Sequence, residues 1–500
     1  MAKAKAIMVQ GTMSNAGKSL IVAGLCRIFA RDGYKVAPFK GQNMALNSAV
    51  TQDGLEMGRA QVMQAEAAGI DPDVRMNPIL LKPTSDMGSQ VIVLGEVLDT
   101  MKAADYYAYK ANLKSSVQDA FDSLSQDFDI VVIEGAGSPA EINLKTDDLA
   151  NMGMAKMAQA PVLLVGDIDP GGVFAQLYGT MELLDEDERA MVKGLVINKF
   201  RGDVEILRPG LAPLEEMCGV PVVGVVPYTK LDLDDEDSLA TRLNQHSSEG
   251  VLDVAVIRIP HLSNFTDFNA IERHPMMALR YVDKAVELGR PDLVVLPGTK
   301  NTLDDLAWLK ESGMARCIKA LAAQKTPAIG ICGGYQMLGE QLHDPYGVEE
   351  GGDAEGLGLL PMETTFTTEK RRTRITGKCL DLEGVFAPLS QLDLEGYEIH
   401  MGTTTGSCPA SVCLHQQDGD VTDGGQCGNV LGSYLHGFFD APGICDALAQ
   451  ALAQARGISL PELQHKTSQA FKEEQYDLLA DTLAAALDMD QVYCILNEGV

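Results

Sequence analysis

The chain has 500 residues, of which 46% are hydrophobic and 22% are charged, with 49 Gly and 22 Pro. This length exceeds what one hydrophobic core usually serves, and the composition excludes the disordered, collagen-like and coiled-coil classes. With 70 acidic against 40 basic residues, the formal net charge is −30, which argues against binding to nucleic acid or to anionic membranes. We therefore expect two or three globular domains.

The sequence also indicates where the protein works. No apolar run approaches the roughly 18 residues that a bilayer-spanning helix needs. The apolar stretch Ala6–Val9 is too short for the core of a signal peptide. The ten cysteines include no CxxC pair, which favours reduced thiols and argues against structural zinc. We expect a cytoplasmic protein without membrane association.

Short apolar runs alternate with helical patterns through the first 230 residues. They are rich in Val and Ile and lack period-2 alternation, as expected for strands buried on both faces of a parallel sheet. The predicted strands are Ala6–Val9, Tyr34–Phe39, Ile130–Ile133, Pro161–Val165, Gly194–Ile197 and Pro221–Val226. A charged and polar stretch over 231–250 then breaks the pattern and is the predicted linker.

A second alternating series follows the linker. It predicts strands at Val254–Ile259, Leu293–Leu296 and Ala328–Ile331, with a helix at Thr302–Ser312. From Pro442 onward, Ala and Leu at spacings of three and four predict helices. The predicted fold class is α/β, with two doubly wound, mostly parallel-sheet domains and a helical C-terminal tail. The predicted boundaries are 1–235, 251–440 and 441–500.

Residues 11–19 read Gly-Thr-Met-Ser-Asn-Ala-Gly-Lys-Ser and stand between a predicted strand and a predicted helix. A site for a nucleoside triphosphate needs backbone N–H groups at a helix N-terminus, a lysine that reaches the β- and γ-phosphates and a serine that holds Mg²⁺. The usual first glycine is replaced by Thr12, and Met13 stands where partition-type ATPases have a second lysine. The arrangement resembles dethiobiotin synthetase and its relatives. We assign ATP to the loop residues Thr12, Asn15, Gly17, Lys18 and Ser19.

Further positions fit the same resemblance. Lys40, at the end of the second strand, would lie beside the phosphates, and Ser19, Asp53 and Glu134 would hold Mg²⁺. A hard cation prefers carboxylate oxygens, and ligands of open α/β sheets bind at the carboxyl edge. The alternative for either acid is an ordinary surface carboxylate. Asn198, after the fifth strand, is a candidate for reading the adenine base.

Gly330-Ile-Cys-Gly-Gly334 follows a predicted strand and precedes an apolar helical start. This G-x-C-x-G pattern is the thiol counterpart of the nucleophile elbow, and its helix N-terminus favours the thiolate of Cys332. For the base we favour His436 over the competing His400, because its Leu-His-Gly context suits a loop at the sheet edge. Backbone N–H groups near Gly298 and Gly333 are the predicted oxyanion hole.

These segments, together with Leu296-Pro-Gly and Tyr434-Leu-His-Gly, look like a class I glutamine amidotransferase domain. In most such domains a glutamate follows the histidine by two residues, but here that position is Phe438. The third member of the triad is therefore open, with Asp440 and Glu398 as candidates. The resemblance implies that glutamine is a substrate.

A carboxylate-phosphorylating domain ahead of a glutaminase domain is similar to the cobyrinic-acid amidating enzymes, and most closely to the cobyric acid synthase family. The motifs that carry this resemblance, in chain order, are Phe39-Lys-Gly-Gln-Asn-Met-Ala-Leu-Asn47, Gly58-Arg-Ala-Gln61, Met76-Asn-Pro-Ile-Leu-Leu-Lys-Pro83, Glu134-Gly-Ala-Gly-Ser-Pro139, Gly166-Asp-Ile-Asp-Pro-Gly-Gly-Val-Phe174, Ile197-Asn-Lys-Phe-Arg-Gly202 and Gly396-Tyr-Glu-Ile-His-Met-Gly402.

The resemblance implies amidation of carboxylates b, d, e and g of adenosylcobyrinic acid a,c-diamide, a corrinoid polycarboxylate, with ATP, Mg²⁺ and ammonia from glutamine. Cobalt would enter only within that substrate, and we expect no protein-bound transition metal. Asp167 and Asp169 are candidate contacts to the corrinoid or to Mg²⁺, with a plain turn as the alternative. The oligomeric state is open, a homo-oligomer included.

Three alternatives stand beside this prediction. The first is cobyrinic acid a,c-diamide synthase, which also joins an ATP-dependent domain to a glutaminase domain. The second is a cell-wall amidating pair of similar architecture, whose two domains are usually on separate chains. The third is a partition-type ATPase that acts as a dimeric switch on DNA or membranes. The first alternative is opposed by the motifs Phe39–Asn47 and Asp167–Phe174, and the second by the presence of both domains on one chain. The third is opposed by the thiol elbow. The basic run Lys370–Arg374 is either a solvated face or a contact for the polycarboxylate substrate.

Overall fold

The computed structural model describes residues 3–85, 88–233, 250–349, 351–416, 419–460 and 468–500. The strands are β1 Lys5–Gly11, β2 Val36–Phe39, β3 Gln42–Met44, β4 Ser48–Val50, β5 Glu56–Gly58, β6 Ile79–Ser85, β7 Gly88–Val93, β8 Glu96–Lys102, β9 Ile130–Glu134, β10 Val162–Asp167, β11 Val192–Phe200, β12 Val222–Pro227, β13 Leu252–Ile257, β14 Met277–Val282, β15 Leu293–Leu296, β16 Ala328–Ile331, β17 Gln341–Asp344, β18 Gly352–Glu355, β19 Met362–Cys379, β20 Asp393–Gly406, β21 Val412–Gln416, β22 Gly419–Asp423, β23 Gly425–Cys427 and β24 Val430–Ser433.

The α-helices are α1 Lys18–Arg31, α2 Arg59–Ala68, α3 Ala103–Tyr109, α4 Lys114–Asp127, α5 Met152–Ala158, α6 Val173–Leu183, α7 Glu186–Met191, α8 Val204–Leu207, α9 Leu211–Cys218, α10 Asn269–Arg273, α11 Ala285–Leu288, α12 Thr302–Glu311, α13 Met314–Ala323, α14 Gly333–Leu338, α15 Ile444–Arg456, α16 Ser468–Ala486 and α17 Met489–Glu498. In the described parts of the chain, no helix is both long enough and apolar enough to cross a bilayer.

The chain forms two compact units that do not follow the predicted boundaries throughout. The first contains residues 1–45, 56–234 and 469–500, and the second contains 46–55 and 235–468. The predicted linker lies at the change from one unit to the other, and its residues 234–249 are outside the described residues. A short early segment, 46–55, thus belongs with the second half of the chain, which the sequence did not predict.

The first unit is built on a six-stranded parallel sheet of order β12-β11-β10-β1-β9-β2. All six strands are among those predicted, because strands covered by helices on both faces are mostly buried, as the Val and Ile runs indicate. The register pairs Val9 with Glu134 and Asp167 with Asn198. The carboxyl ends of neighbouring strands therefore lie at one edge, next to the loop that follows β1.

Smaller antiparallel sheets depart from the predicted pattern. In the first unit β3, β6, β7 and β8 form a four-stranded sheet in which only the β3–β6 pair is parallel. In the second unit a sheet of order β18-β17-β19-β21-β22 also carries β20, paired with β19. These strands are partly exposed and polar, so they lack the apolar runs on which the prediction depended.

The second unit has its own parallel sheet, of order β14-β13-β15-β16-β24-β23, in which β23 alone is antiparallel. The α/β class with two mostly parallel main sheets is thus confirmed. Cys332 follows β16, and His436 follows the neighbouring strand β24. Since β16 and β24 are adjacent and parallel, the two residues emerge at the same sheet edge.

The predicted C-terminal tail is helical but is not one element. Helix α15 buries Ile444, Leu448 and Leu452 in the core of the second unit. Helices α16 and α17 instead join the core of the first unit, where α16 packs along α1. A Cβ at Gly24 would lie only 2.2 Å from Cδ1 of Leu483, so this close approach requires glycine. The predicted boundary at 441 stays a prediction, and the structure assigns α15 to the second unit and residues 469–500 to the first.

Candidate active sites in the two units

The loop between β1 and α1 has the geometry of an anion-binding turn. Gly17, directly before α1, is left-handed with φ of 95°, a conformation that glycine adopts without strain. The ammonium of Lys18 is 3.1 Å from the carbonyl oxygens of Met13 and Gly137, so it is held across the loop. The Thr12 hydroxyl donates to Oε1 of Gln176 at 3.1 Å. The loop thus presents backbone N–H groups and one cation at a helix N-terminus.

Glu134 is the centre of a buried polar cluster beside this loop. Its Oε1 is 2.9 Å from both the Ser19 hydroxyl and the Lys40 ammonium, and the Lys40–Glu134 ion pair is almost fully buried. Gln61 and Gln64 direct their side-chain amides at Oε2, at 3.4 and 2.5 Å. The sequence predicted Ser19, Lys40 and Glu134 here, but it assigned no role to the two glutamines.

The donor set around Glu134 suits Mg²⁺. A serine hydroxyl and a carboxylate are hard oxygen ligands, and Lys40 now occupies the position where a positive charge is needed. Asp53 is the third residue that the sequence assigned to this metal. It is exposed in the turn at 52–54 and belongs to the second unit, whereas Ser19 and Glu134 belong to the first. Its role as a metal ligand stays a prediction.

Asn198 and Asp167 support the loop from the neighbouring strand ends. The Asn198 amide donates to the Ala16 carbonyl at 2.9 Å. Lys199 bridges the Asn15 carbonyl and the Asp167 carboxylate at 2.6 and 2.7 Å. Asp169 is exposed and pairs with Arg201 at 3.0 Å. These bonds fix the loop, while the roles predicted for Asn198, Asp167 and Asp169 toward ligands stay predictions.

Cys332 stands on a strained turn between β16 and α14. Its φ of 52° with ψ of −111° is an unfavourable backbone conformation for a residue other than glycine. A Cβ at Gly334 would lie 2.0 Å from the Leu296 carbonyl, and one at Gly330 would lie 2.7 Å from the Gly334 carbonyl. The glycines on both sides are therefore necessary for the turn. The Cys332 thiol faces the Ile399 carbonyl at 3.6 Å.

His436 is paired with a carboxylate that the sequence did not identify. Its Nδ1 is 2.7 Å from Oδ2 of Asp267, whose other oxygen accepts from the Gly437 N–H at 3.0 Å. His436 is also close enough to Cys332 for the thiolate to raise the pKa of this histidine. The candidates Asp440 and Glu398 do not occupy this position, because Glu398 pairs with Arg371 and Asp440 ends the short 3-10 helix Phe438–Asp440.

Asp267 lies in the 3-10 helix Phe265–Phe268, far from the histidine in sequence. The sequence around Asp267 shows only an acidic residue between two phenylalanines, both of which are buried. Ordinary turns that pack against a core have the same pattern, so it does not identify a catalytic acid. Asn264, one turn earlier, was also unpredicted, and its amide nitrogen is 3.5 Å from Nε2 of His436. The structure therefore brings Cys332, His436 and Asp267 together, and their catalytic roles stay predictions.

The glycines predicted for the oxyanion hole both border this triad. A Cβ at Gly298 would lie 3.1 Å from Cε1 of His436, and one at Gly333 would lie 2.4 Å from Cγ2 of Thr299. A side chain at either position would thus press on His436 or on Thr299. Whether their N–H groups bind an oxyanion stays a prediction.

Burial and charge set the protonation of the triad and its neighbours. Burial opposes the charge on His436, but Asp267 and the Cys332 thiolate outweigh it and raise the pKa of His436 to about 10. Burial lowers the pKa of His400 to about 4, so this residue is neutral at physiological pH. Of the two candidate histidines, His436 is the one that combines a carboxylate partner with a place beside the thiol.

The basic run Lys370–Arg374 lies in β19, and its partner strand β20 carries Glu395 and Glu398. Arg371 is 3.0 Å from Glu398, and Arg374 is 3.3 Å from Glu395. Cross-strand pairing thus accounts for these two arginines, and a contact to substrate stays a prediction. Among the described residues, the side chains of Cys413, His415 and Asp420 are close enough to share a metal ion, but His415 and Asp420 already form an exposed pair at 2.7 Å.

Comparisons with known proteins identify a domain family in each half of the chain. A family model for the CobQ/CobB/MinD/ParA nucleotide binding domain matches residues 7–238, and one for the CobB/CobQ-like glutamine amidotransferase domain matches 253–444. A cobyric acid synthase of Ruminiclostridium cellulolyticum is 57% identical, covering 99% of this chain and 98% of its own length. Cobyric acid synthases of Lachnoclostridium phytofermentans and Yersinia enterocolitica are 54% and 50% identical, covering 99% and 98% of this chain and 100% and 98% of their own lengths.

Proposed function

Because the chain belongs to the cobyric acid synthase family and is a glutamine-hydrolysing ligase of cobalamin biosynthesis, we propose that it converts adenosylcobyrinic acid a,c-diamide to adenosylcobyric acid. The reaction amidates carboxylates b, d, e and g with ammonia from glutamine, at the expense of ATP. The observation that carries the proposal is one chain with a Cys332–His436–Asp267 triad and a phosphate loop beside Glu134. ATP and glutamine are cytoplasmic metabolites, and we place the reaction there.

In the glutaminase unit, the Cys332 thiolate attacks the amide carbon of glutamine. His436 gives its Nε2 proton to the departing nitrogen, so ammonia leaves and a thioester to Cys332 remains. Water, deprotonated by His436, then hydrolyses the thioester to glutamate and restores the thiol. Asp267 holds Nδ1 and stabilises the imidazolium, and the N–H groups near Gly298 and Gly333 bind the oxyanion of the tetrahedral intermediate.

In the synthetase unit, a corrinoid carboxylate oxygen attacks the γ-phosphorus of ATP and ADP leaves. Ammonia then attacks the acyl phosphate, and the carboxamide and inorganic phosphate are the products. Lys18 and Lys40 face the negative charge that spreads over the transferring phosphoryl group. The loop N–H groups before α1 hold the other phosphates.

Mg²⁺ fits this unit through Ser19 and Glu134, with Asp53 as a further proposed ligand. When bound, the ion neutralises charge on the β- and γ-phosphate oxygens. Lys40 would then be free to turn from Glu134 to the phosphates, because the carboxylate would have a new cationic partner. Gln61 and Gln64 keep the Glu134 carboxylate oriented in either case.

The test is mass spectrometry of adenosylcobyrinic acid a,c-diamide incubated with the protein, ATP, Mg²⁺ and glutamine. We expect four successive losses of about 1 Da, one for each carboxyl OH replaced by NH₂. With Cys332→Ala, glutamine-dependent amidation should fall at least about 10³-fold. Ammonium chloride should restore it, because the synthetase unit does not use the thiol.

A matched control is Cys427→Ala, which removes an exposed thiol of the same unit and should leave both reactions unchanged. Amidation of cobyrinic acid itself at a and c, with no reaction of the diamide, would instead identify cobyrinic acid a,c-diamide synthase. No mass shift with either nitrogen source, while glutamine hydrolysis continues, would contradict the proposed substrate.

A further inference from the structure

One loop of the second unit, residues 297–301, carries a backbone N–H group proposed above for the oxyanion hole. The loop follows the buried strand β15 and ends where α12 begins. Residues 261–263 lie beside it, joined by an antiparallel bridge between Leu262 and Thr299 and by two backbone hydrogen bonds of 3.0 Å. One of these bonds holds the Gly298 carbonyl, so a neighbouring segment fixes the peptide that follows Gly298.

The direction of that peptide determines what the loop offers to the thiol site. Its carbonyl is turned toward residues 261–263 and the peptide is trans, so the Thr299 N–H points away from that segment. The Thr299 nitrogen also lies on the side of Gly333, where a Cβ would be 3.2 Å from it. The Thr299 N–H is therefore a donor of this loop that stands beside the glycine following Cys332.

The side chain of Thr299 is held by Asp305, a fully buried residue in the first turn of α12. The Thr299 hydroxyl donates to Oδ2 of Asp305 and accepts from the Asn301 N–H at 3.0 Å. Both bonds act on a β-branched side chain, whose first torsion angle has few choices. The Thr299 side chain and the backbone that carries it are thus fixed from the side of the helix.

The other oxygen of Asp305 is occupied by His261. Oδ1 accepts from the His261 N–H at 3.2 Å and lies 2.9 Å from Nδ1 of the same residue. The hydrogen bond to Asp305 raises the pKa of His261 against the effect of burial, and the charges of Asp304 and Glu349 add to it. The ring therefore keeps a proton on Nδ1 for the carboxylate. A buried carboxylate needs such donors, and here they come from the loop and from the segment beside it.

Capping of the helix does not explain this arrangement. The N-cap of α12 is Asn301, whose side-chain oxygen accepts from the Asp304 N–H at 3.2 Å. That position is therefore filled without Asp305. The carboxylate of Asp305 instead joins three pieces of chain, namely the helix that carries it, the loop 297–301 and the segment at His261.

The segment that begins at this contact ends at the catalytic histidine. His261 bonds to Asp305, and further along the same segment Asp267 bonds to Nδ1 of His436 at 2.7 Å. One short stretch of chain thus contacts both the loop with the Thr299 N–H and the imidazole. These are two groups that have to be fixed relative to Cys332.

We infer that Asp305 positions the oxyanion hole of the glutaminase, with the Thr299 hydroxyl on one oxygen and His261 on the other. The amide oxygen of glutamine becomes negatively charged when the Cys332 thiolate adds to the amide carbon. N–H groups that are already in place stabilise this charge without reorganising. Asp305 acts through the backbone of Thr299 and exchanges no proton with the substrate. The inference rests on the glutaminase reaction proposed above, because that reaction forms the oxyanion.

The experiment compares glutamate release by the full-length protein and by Thr299→Val, which keeps the branched shape and removes the hydroxyl. We expect kcat to fall by about 10- to 100-fold, because a misplaced donor weakens a bond that is made in the transition state. The KM for glutamine should stay within about twofold of the wild type. Thr299→Ser keeps the hydroxyl and should recover most of the lost rate. Thr422→Val, which alters an exposed threonine of the same unit, should behave as the wild type.

His261→Ala tests the second oxygen of Asp305. We expect a smaller fall in kcat than in Thr299→Val, because the backbone N–H of residue 261 still donates to the carboxylate. In the double variant the two effects should not multiply, since both act through one carboxylate. Effects that do multiply would overturn the part assigned to His261.

Alkylation of Cys332 by iodoacetamide separates a positioning role from a merely structural one. The thiolate displaces iodide from the CH₂ group, so a carbon–sulfur bond forms and no oxyanion does. The rate of modification, followed by mass spectrometry of the peptide that contains Cys332, should therefore be within about twofold of the wild type in Thr299→Val. A disturbed thiol site would instead slow alkylation and glutamate release together.

A wild-type kcat in Thr299→Val, or a parallel loss of alkylation and hydrolysis, would overturn the inference while the wild type still releases glutamate. A wild type that releases no glutamate would contradict the proposed function and the inference together. A wild type that releases glutamate but does not amidate the corrinoid with ammonium chloride would contradict the proposed substrate alone, and the comparison of the variants would still decide the role of Asp305.

Discussion

Asp267 shows how one buried carboxylate determines the state of the glutaminase. Without it, burial alone would favour a neutral His436, because a charge in an apolar environment is unfavourable. With Asp267 at 2.7 Å and the Cys332 thiolate nearby, the raised pKa of His436 keeps the ring charged over the physiological range. A charged imidazole beside the thiol can then give its proton to the nitrogen that leaves.

This leads to a prediction for Asp267→Asn. The amide keeps the shape but not the charge, so the pKa of His436 should fall and the imidazolium should be lost at a lower pH than in the wild type, where it persists to about pH 10. We expect glutaminase kcat to fall by about 10²- to 10⁴-fold. Steady-state kinetics over pH will measure this, and ammonium-dependent amidation of the same sample serves as the control. An unaltered kcat would remove Asp267 from the triad.

The sequence predicted Cys332 and His436 as site residues, but it did not predict Asp267 or Asn264. Cys332 and His436 stand in motifs whose glycines and strand contexts have local physical causes, and the structure brings both residues together. Asp267 and Asn264 have no such context, since their importance arises only when a 3-10 helix packs against the end of β24. A residue whose role depends on tertiary neighbours leaves no periodic signal in one sequence.

Secondary-structure elements also differ in how well the sequence predicts them. Most strands of the parallel sheets were predictable because complete burial produces continuous apolar runs, as in β9 and β10, whereas β14 and β24 were not among the predicted strands. The long strands β19 and β20 were not predicted, because they are partly exposed and carry charged residues along much of their length. Their pairing places Arg371 and Glu398 side by side, and the Ile399 carbonyl contacts the Cys332 thiol.

The β19–β20 pair also introduces a pH dependence of stability. Burial and the nearby Asp423 raise the pKa of Glu398 to about 7, against the opposing effects of Arg371 and His436. A raised carboxyl pKa means that the folded state holds its proton more tightly than the unfolded state. Glu398 therefore costs stability as pH rises from its ordinary pKa toward 7 and beyond.

For Glu398→Gln we thus expect a melting temperature close to that of the wild type at pH 5, where Glu398 is neutral in the folded protein. At pH 8 the variant should be more stable than the wild type, because the wild type then buries a charge that glutamine lacks. Thermal unfolding at the two pH values measures the difference. A difference that does not change with pH would show that Glu398 keeps its ordinary pKa.

At the scale of the whole molecule, neither unit is one continuous stretch of the chain. The first unit takes its last helices from residues 469–500, and the second takes a segment from residues 46–55. Composition shifts along a sequence locate a linker, but they do not reveal that the chain returns to an earlier unit. The amphipathic pattern of α16 is explained by α1, about 450 residues away, where Arg27 also pairs with Glu473 and Asp477.

Because residues 469–500 complete the core of the first unit, the stability of that unit depends on helix α16 near the end of the chain. Leu483 of α16 is almost fully buried and contacts the position of Gly24, whereas Leu478 of the same helix is 43% exposed. We expect Leu483→Ala to lower the free energy of unfolding by about 2–5 kcal/mol and Leu478→Ala to change it by less than about 0.5 kcal/mol. In urea unfolding the loss should appear in the transition of the unit that contains the phosphate loop, followed by the loss of ATP binding. Equal effects of the two substitutions would show that α16 is not part of that core.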